Sequence, residues 1–250
     1  MMRKVQSKWL ITACLAVIVG LALTSTASAT VLGTVNVQNH NNSLSNTGTI
    51  SGGGLSGLYV YTGIYSWTNE GGTDLGTGVP NWGFCIELTQ SPYNGWQDVV
   101  PLDEAPLPAL FGTPMQIAKA NYIRELWGRH FDPSWVTNPT TANKQLAEAF
   151  GASVWEIVYE QNGSPATWNV STGSGFRATG IEQAAAANSW LSGLNGDTTY
   201  FNWNLAATST LSGQDYLIQL PTAPPHPPVP EPATIALLGL GALCLLRRKR

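Results

Sequence analysis

The chain has 250 residues, enough for one or two domains with a real hydrophobic core, and carries 12 Lys and Arg against 15 Asp and Glu. With 11% charged and 10% aromatic residues it is not a highly charged disordered chain, and a formal charge of −3 gives no electrostatic reason for a nucleic-acid partner. Three cysteines are too few for a disulfide scaffold or a cysteine-rich zinc module.

Residues 1–29 have the three parts of a secretory signal. Arg3, Lys4 and Lys8 form a positive region, Trp9 to Leu23 is apolar, and Ala27-Ser28-Ala29 supplies the small-residue cleavage site. Thr30 is then the expected mature N-terminus, with signal peptidase as the processing partner. An uncleaved anchor is the weaker alternative, because the apolar run is short for a span. A lipoprotein reading would need Cys14 after the apolar region, whereas Cys14 lies inside it.

Residues 30–220 read as a single domain. Between Thr30 and Val229, five cations face fourteen acids, a formal charge of −9, and Cys85 is the one cysteine left. Residues 33–57 are rich in Gly, Ser, Asn and Thr and predict loop or weak edge strand. Leu58 to Trp67 and Phe84 to Leu88 predict strands. In the second, Phe84, Ile86 and Leu88 face one way, Cys85 and Glu87 the other. The stretch around 98–114 predicts irregular chain.

Thr113-Pro114-Met115-Gln116 predicts the start of a helix, and Gly128 its end. A second helix is expected from about Thr141 to Glu160, with Leu146, Phe150, Val154 and Ile157 or Val158 on one stripe and Asn162-Gly163 as its stop. A third starts near Thr179, with Glu182 in its capping box, and stops before Gly196. Strands at about Tyr200–Leu205 and Tyr216–Leu220 close the domain. Strands first, helices in the middle and strands last predict an α+β fold, antiparallel strands around a small set of helices.

The C-terminus has a proline-rich linker at 221–229 and a distinct segment at 230–250. Pro230-Glu231-Pro232 precedes an uncharged, mostly apolar run from Ala233 to Leu246, and Arg247-Arg248-Lys249-Arg250 ends the chain. The run predicts a hydrophobic helix with its arginines on the cytoplasmic side. This segment resembles the PEP-CTERM sorting signal of exported bacterial proteins. The resemblance implies recognition by an exosortase and anchoring in the inner membrane through the C-terminus before processing. It further implies delivery to the cell surface or extracellular matrix of a Gram-negative bacterium.

Within the body, Phe84-Cys85-Ile86-Glu87 and the helical Gly151-Ala152-Ser153-Val154-Trp155-Glu156 resemble two segments of surface thioester domains, over about residues 58–160. In that family a Cys thiol and a Gln side chain condense to an internal thioester. Cys85 matches the thiol; the glutamine position is Gly151, which has no carboxamide to condense. Close approach of the strand bearing Cys85 is one reason for a glycine there.

The leading expectation is a non-enzymatic adhesion, binding or structural module, with surface polysaccharide or matrix as its partner. The alternative is a Cys85-dependent acylating protein or a Cys–His hydrolase using Cys85 and His130, with Asp132 or Asn138 orienting the imidazole. One cysteine and two scattered histidines offer no metal-ligand spacing, and no cofactor is expected. Glu156 and Glu160 read as a solvated helix face. Most tryptophans read as core, with sugar stacking as the alternative for some.

Overall fold

A computed structural model describes residues 30–52, 54–73, 79–106, 114–160, 164–173 and 175–221. Eight antiparallel strands form one sheet: β1 (Gly33–Asn41), β2 (Ser45–Gly52), β3 (Leu55–Thr73), β4 (Trp82–Cys85), β5 (Gly95–Pro101), β6 (Phe176–Thr179), β7 (Leu205–Thr210) and β8 (Gly213–Gln219). Their order is β1-β5-β7-β8-β4-β3-β2-β6, and β1 also pairs with β3. That last pairing, from Thr34 opposite Thr73 to Asn41 opposite Ser66, closes six strands into a barrel.

The 19-residue β3 makes this possible by serving two neighbourhoods. Its second half closes the barrel on β1 and pairs with β4 at Ile64–Ser66. Its first half leaves the barrel and pairs with β2, from Ser45 opposite Gly63 to Gly52 opposite Leu55, with β6 beyond β2. Gly63 stands at the junction with φ +116°, a conformation that L side chains rarely adopt.

The expected α+β domain is therefore corrected to a closed six-stranded antiparallel barrel extended by two strands, with few helices packed outside it. The error lies chiefly in residues 33–57, expected as loop or weak edge and found to hold β1, β2 and the start of β3. Only Val35, Val37 and Ile50 in this stretch are fully buried apolar residues, and their outward neighbours are Thr, Asn, Gln and Ser. Local propensity is weak here, so ladder pairing with β3 and β5 decides the conformation.

Four α-helices are present among the described residues: α1 (Gln116–His130), α2 (Ser134–Thr137), α3 (Thr141–Tyr159) and α4 (Ala184–Ser192). The expected second helix is α3, capped by the Thr140 hydroxyl accepting from the Asn143 amide. Its stop at Asn162-Gly163 lies outside the described residues, as does Thr113. Helix α1 runs through Gly128 instead of ending there. A methyl on Gly128 would stand 1.7 Å from the Tyr200 carbonyl oxygen, so glycine admits a crossing backbone and does not terminate the helix. Thr179 closes β6 and is not the start of a helix; Tyr200 lies in a 3-10 turn and the closing strands are β7 and β8.

Candidate functional site

The outer face of β4 is set by Phe84, whose ring lies 4.9 Å from Phe150 of α3 and 5.8 Å from Trp127 of α1. Strand alternation turns the next side chain, Cys85, into the barrel, where Tyr216 is its partner across β8. Cys85 is 2% exposed. Its Sγ donates to the Glu87 carbonyl at 3.1 Å, and burial pushes the thiol well above the ordinary cysteine range. A thiol that stays protonated is a poor nucleophile.

The backbone after Cys85 leaves the sheet because α3 holds it. Trp155 Nε1 donates to the Cys85 carbonyl at 2.7 Å. The Tyr159 hydroxyl donates to the Ile86 carbonyl at 2.9 Å and accepts from the Leu88 amide at 3.0 Å. Trp155 and Tyr159, four residues apart on one helical face, thus clamp residues 85–88. Sequence reasoning singled out Trp155 only as part of a pattern and missed Tyr159.

It also missed Gln214. This side chain, 7% exposed, donates through Nε2 to the same Glu87 carbonyl at 3.0 Å and accepts from the Tyr216 hydroxyl at 3.0 Å. Glu87 itself is fully buried; its Oε1 accepts from the Thr89 amide and hydroxyl, and burial raises its pKa. The spacing of Gln214 and Tyr216 by two on a strand is the signal that places both in the barrel.

Cys85 and His130 are not brought together. The His130 ring stacks on Trp190 at 5.2 Å, in the helical layer outside the barrel wall, while the Cys85 side chain points inside it. Burial and the neighbouring Arg129 lower the His130 pKa. Asp132 Oδ1 accepts from the Ser134 amide at 2.8 Å, and the backbone carbonyl of Asn138 accepts from Asn143.

Gly151 does sit in a close approach, but the chain that meets it is β3, not the strand bearing Cys85. A methyl there would lie 3.0 Å from the Gly63 nitrogen and 3.5 Å from Thr62 Cγ2.

Glu156 and Glu160 are buried, contrary to a solvated helix face. Glu156 Oε1 accepts from the Asn169 amide at 3.0 Å, and Glu160 Oε2 accepts from the Gly175 and Phe176 amides at 2.9 and 3.1 Å. The two carboxylates therefore anchor the chain entering β6. Burial, with a smaller contribution from Glu160, lifts the Glu156 pKa to about 7.

Beside the Cys85 segment lies an open recess of about 290 Å³. One wall is β3 from Leu58 to Tyr61, the other is residues 88–92, and Tyr65, Trp155 and Gln214 contribute to the lining between them. It exists because β4 stops at Cys85. The first half of β3 then has β2 on one side and a gap on the other. Tyr59 and Tyr61, 66% and 45% exposed, project from one face of the strand. Among the described residues no Asp, Glu, Lys or Arg lines the recess. Of the tryptophans considered for sugar stacking, Trp96 and Trp203 are exposed; Trp67, Trp127, Trp135 and Trp168 are core.

This site defines an aromatic, uncharged cleft at the rim of a barrel, with its thiol sealed below. The PEP-CTERM protein-sorting motif matches residues 228–250, and with it the chain carries the mark of an exported protein sorted by an exosortase and anchored in the membrane before processing. No curated protein and no solved structure matches the chain. The comparisons give the thioester-domain resemblance no support. Pro230, Glu231, Pro232 and Arg247, Arg248, Lys249, Arg250 lie outside the described residues, as do Ala27 and Ala29. Among the described residues no helix is long and apolar enough to cross a membrane.

Proposed function

We propose that residues 30–220 form a non-enzymatic binding module that exosortase processing releases to the cell surface or extracellular matrix, where it adheres to matrix polymer through the Tyr59–Tyr61 recess. The observation that carries this reading is the pairing of an open, aromatic cleft with a cysteine whose S–H is already donated to Glu87. A few convergent polar groups among apolar and aromatic walls are what ligand sites contain. The signal segment at 1–29 and the sorting segment at 230–250 act on delivery and do not enter the binding step.

Retention of the exported protein on matrix isolated from the producing cells tests the proposal. Wild type and Cys85→Ser are expected to be retained equally, and Tyr59→Ala to wash through. Loss of retention in Cys85→Ser with Tyr59→Ala unaffected would place function at the thiol instead.

A further inference from the structure

We infer that the recess takes an uncharged polysaccharide chain, which rests on the binding-module reading and narrows it to one ligand class. The two candidates for a groove beside a free strand edge are an extended peptide, which would pair with the backbone, and a glycan, which would stack on side chains. The backbone here is partly closed to pairing. The Tyr65 hydroxyl donates to the Tyr61 carbonyl at 2.8 Å and occupies the edge that an added strand would need.

What stays open is the side-chain surface. Tyr59 and Tyr61 lie two residues apart on one face, roughly 7 Å along the strand, and both are exposed. Across the gap stand Thr89, Gln90 and Ser91, with Gln214 at the rim of the interior. The Thr89 hydroxyl is held by Glu87, Gln90 Nε2 by the Leu211 carbonyl, and Gln214 by Glu87 and Tyr216, so the Gln90 carboxamide oxygen and the Ser91 hydroxyl are the groups left to meet sugar hydroxyls. A volume of about 290 Å³ is at the low end for ligand pockets, which run to about 1,000 Å³, so the recess holds one or two rings of a longer chain.

Neutrality follows from the charge pattern. None of the body's five cations lines the recess, and residues 30–69 contain no Asp, Glu, Lys or Arg at all. Two acidic residues stand beside the lining, Glu87, whose carbonyl binds Gln214, and Asp215, next to Gln214 in sequence, and both are fully buried. With the body at −9, a uronate or sulfated polymer meets repulsion and finds no counter-charge.

Affinity electrophoresis of the exported protein tests this, using gels that contain hydroxyethylcellulose or galactomannan as neutral polymers and alginate or polygalacturonate as anionic ones. Retardation is expected in at least one neutral gel and in neither anionic gel, unchanged by 0.5 M salt (about a 4 Å Debye length). Tyr59→Ala should weaken it by about tenfold and Tyr59→Trp should preserve it. Salt-sensitive retardation by the anionic polymers overturns the neutral assignment while leaving a binding module in place. Neutral binding unaffected by Tyr59→Ala overturns the recess as its seat. Matrix retention without retardation in any gel, lost on adding an uncharged β-forming peptide, overturns the glycan in favour of strand pairing. Absence of matrix retention itself removes the binding module.

Discussion

Gly151 of α3 lies against Gly63 of β3, so close that a methyl group on Gly151 would meet the Gly63 nitrogen at 3.0 Å. Two glycines facing each other let a helix settle on the kinked strand just where that strand leaves the barrel. The space beside Gly151 is thereby filled by β3 backbone.

Gly151→Gln is accordingly expected to destabilise the protein. The longer side chain must push β3 away, an overpacking cost of about 1–3 kcal/mol that outweighs the roughly 1 kcal/mol gained in helix propensity. Urea denaturation checks the sign, and intact mass of the same variant should show no loss of ammonia.

Gly128→Ala separates packing from propensity more sharply. On an exposed helix this change stabilises by about 1 kcal/mol. Here the new methyl would fall 1.7 Å from the Tyr200 carbonyl oxygen, so the 3-10 turn at Thr198–Tyr200 must move. Thermal unfolding should give a lower Tm than wild type; a higher one would contradict the crossing at Gly128.

Tyr159→Phe removes a hydroxyl that serves both the Ile86 carbonyl and the Leu88 amide in the core. Leaving these groups without that partner is expected to cost about 1–3 kcal/mol. Because residues 88–92 form one wall of the recess, retention on matrix should weaken together with stability.

Burial of Glu156 should favour stability on mild acidification, whereas His40 and His130, whose pKa values burial lowers, pull the other way. Glu156 has a folded-state pKa of about 7 against an ordinary value of 4.5, so the folded protein holds this proton more tightly than the unfolded chain. The corresponding stabilisation is full below about 4.5 and is lost as pH rises through about 7. Glu87 and Glu148 are shifted in the same direction by burial. Chemical denaturation from pH 5 to pH 8 should show wild type losing stability relative to Glu156→Gln. Its amide oxygen still accepts from Asn169 but does not titrate.

Some of this architecture was legible in the chain and some was not, for physical reasons. Helix α3 announced itself through Leu146, Phe150, Val154 and Ile157 because a helix lying on a sheet needs one apolar stripe. Strands β1 and β2 did not, because their outward residues are Thr, Asn and Ser, and their inward set is small. Barrel closure depends on β3 kinking at Gly63, and one glycine among several in a strand carries no local sign of that role. Cys85 was placed correctly on the face opposite Phe84, whereas Glu87 lies past the end of β4, where the chain has left the sheet. Both faces are buried, since helices cover the outside and the barrel encloses the inside. Buried Glu156 and Glu160 misled because their partners are backbone amides about thirteen to sixteen residues away, which no charge pattern reveals.

The central claim is that Cys85 is a sealed core thiol beneath a binding recess. Native alkylation of the exported protein with iodoacetamide, read by intact mass, tests it most directly. The account predicts the full calculated mass with no ammonia lost, no label on Cys85 under native conditions, and one label per mature chain on Cys85 after denaturation. Rapid native labelling of Cys85, or a mass short by one ammonia that Cys85→Ala restores, would contradict it.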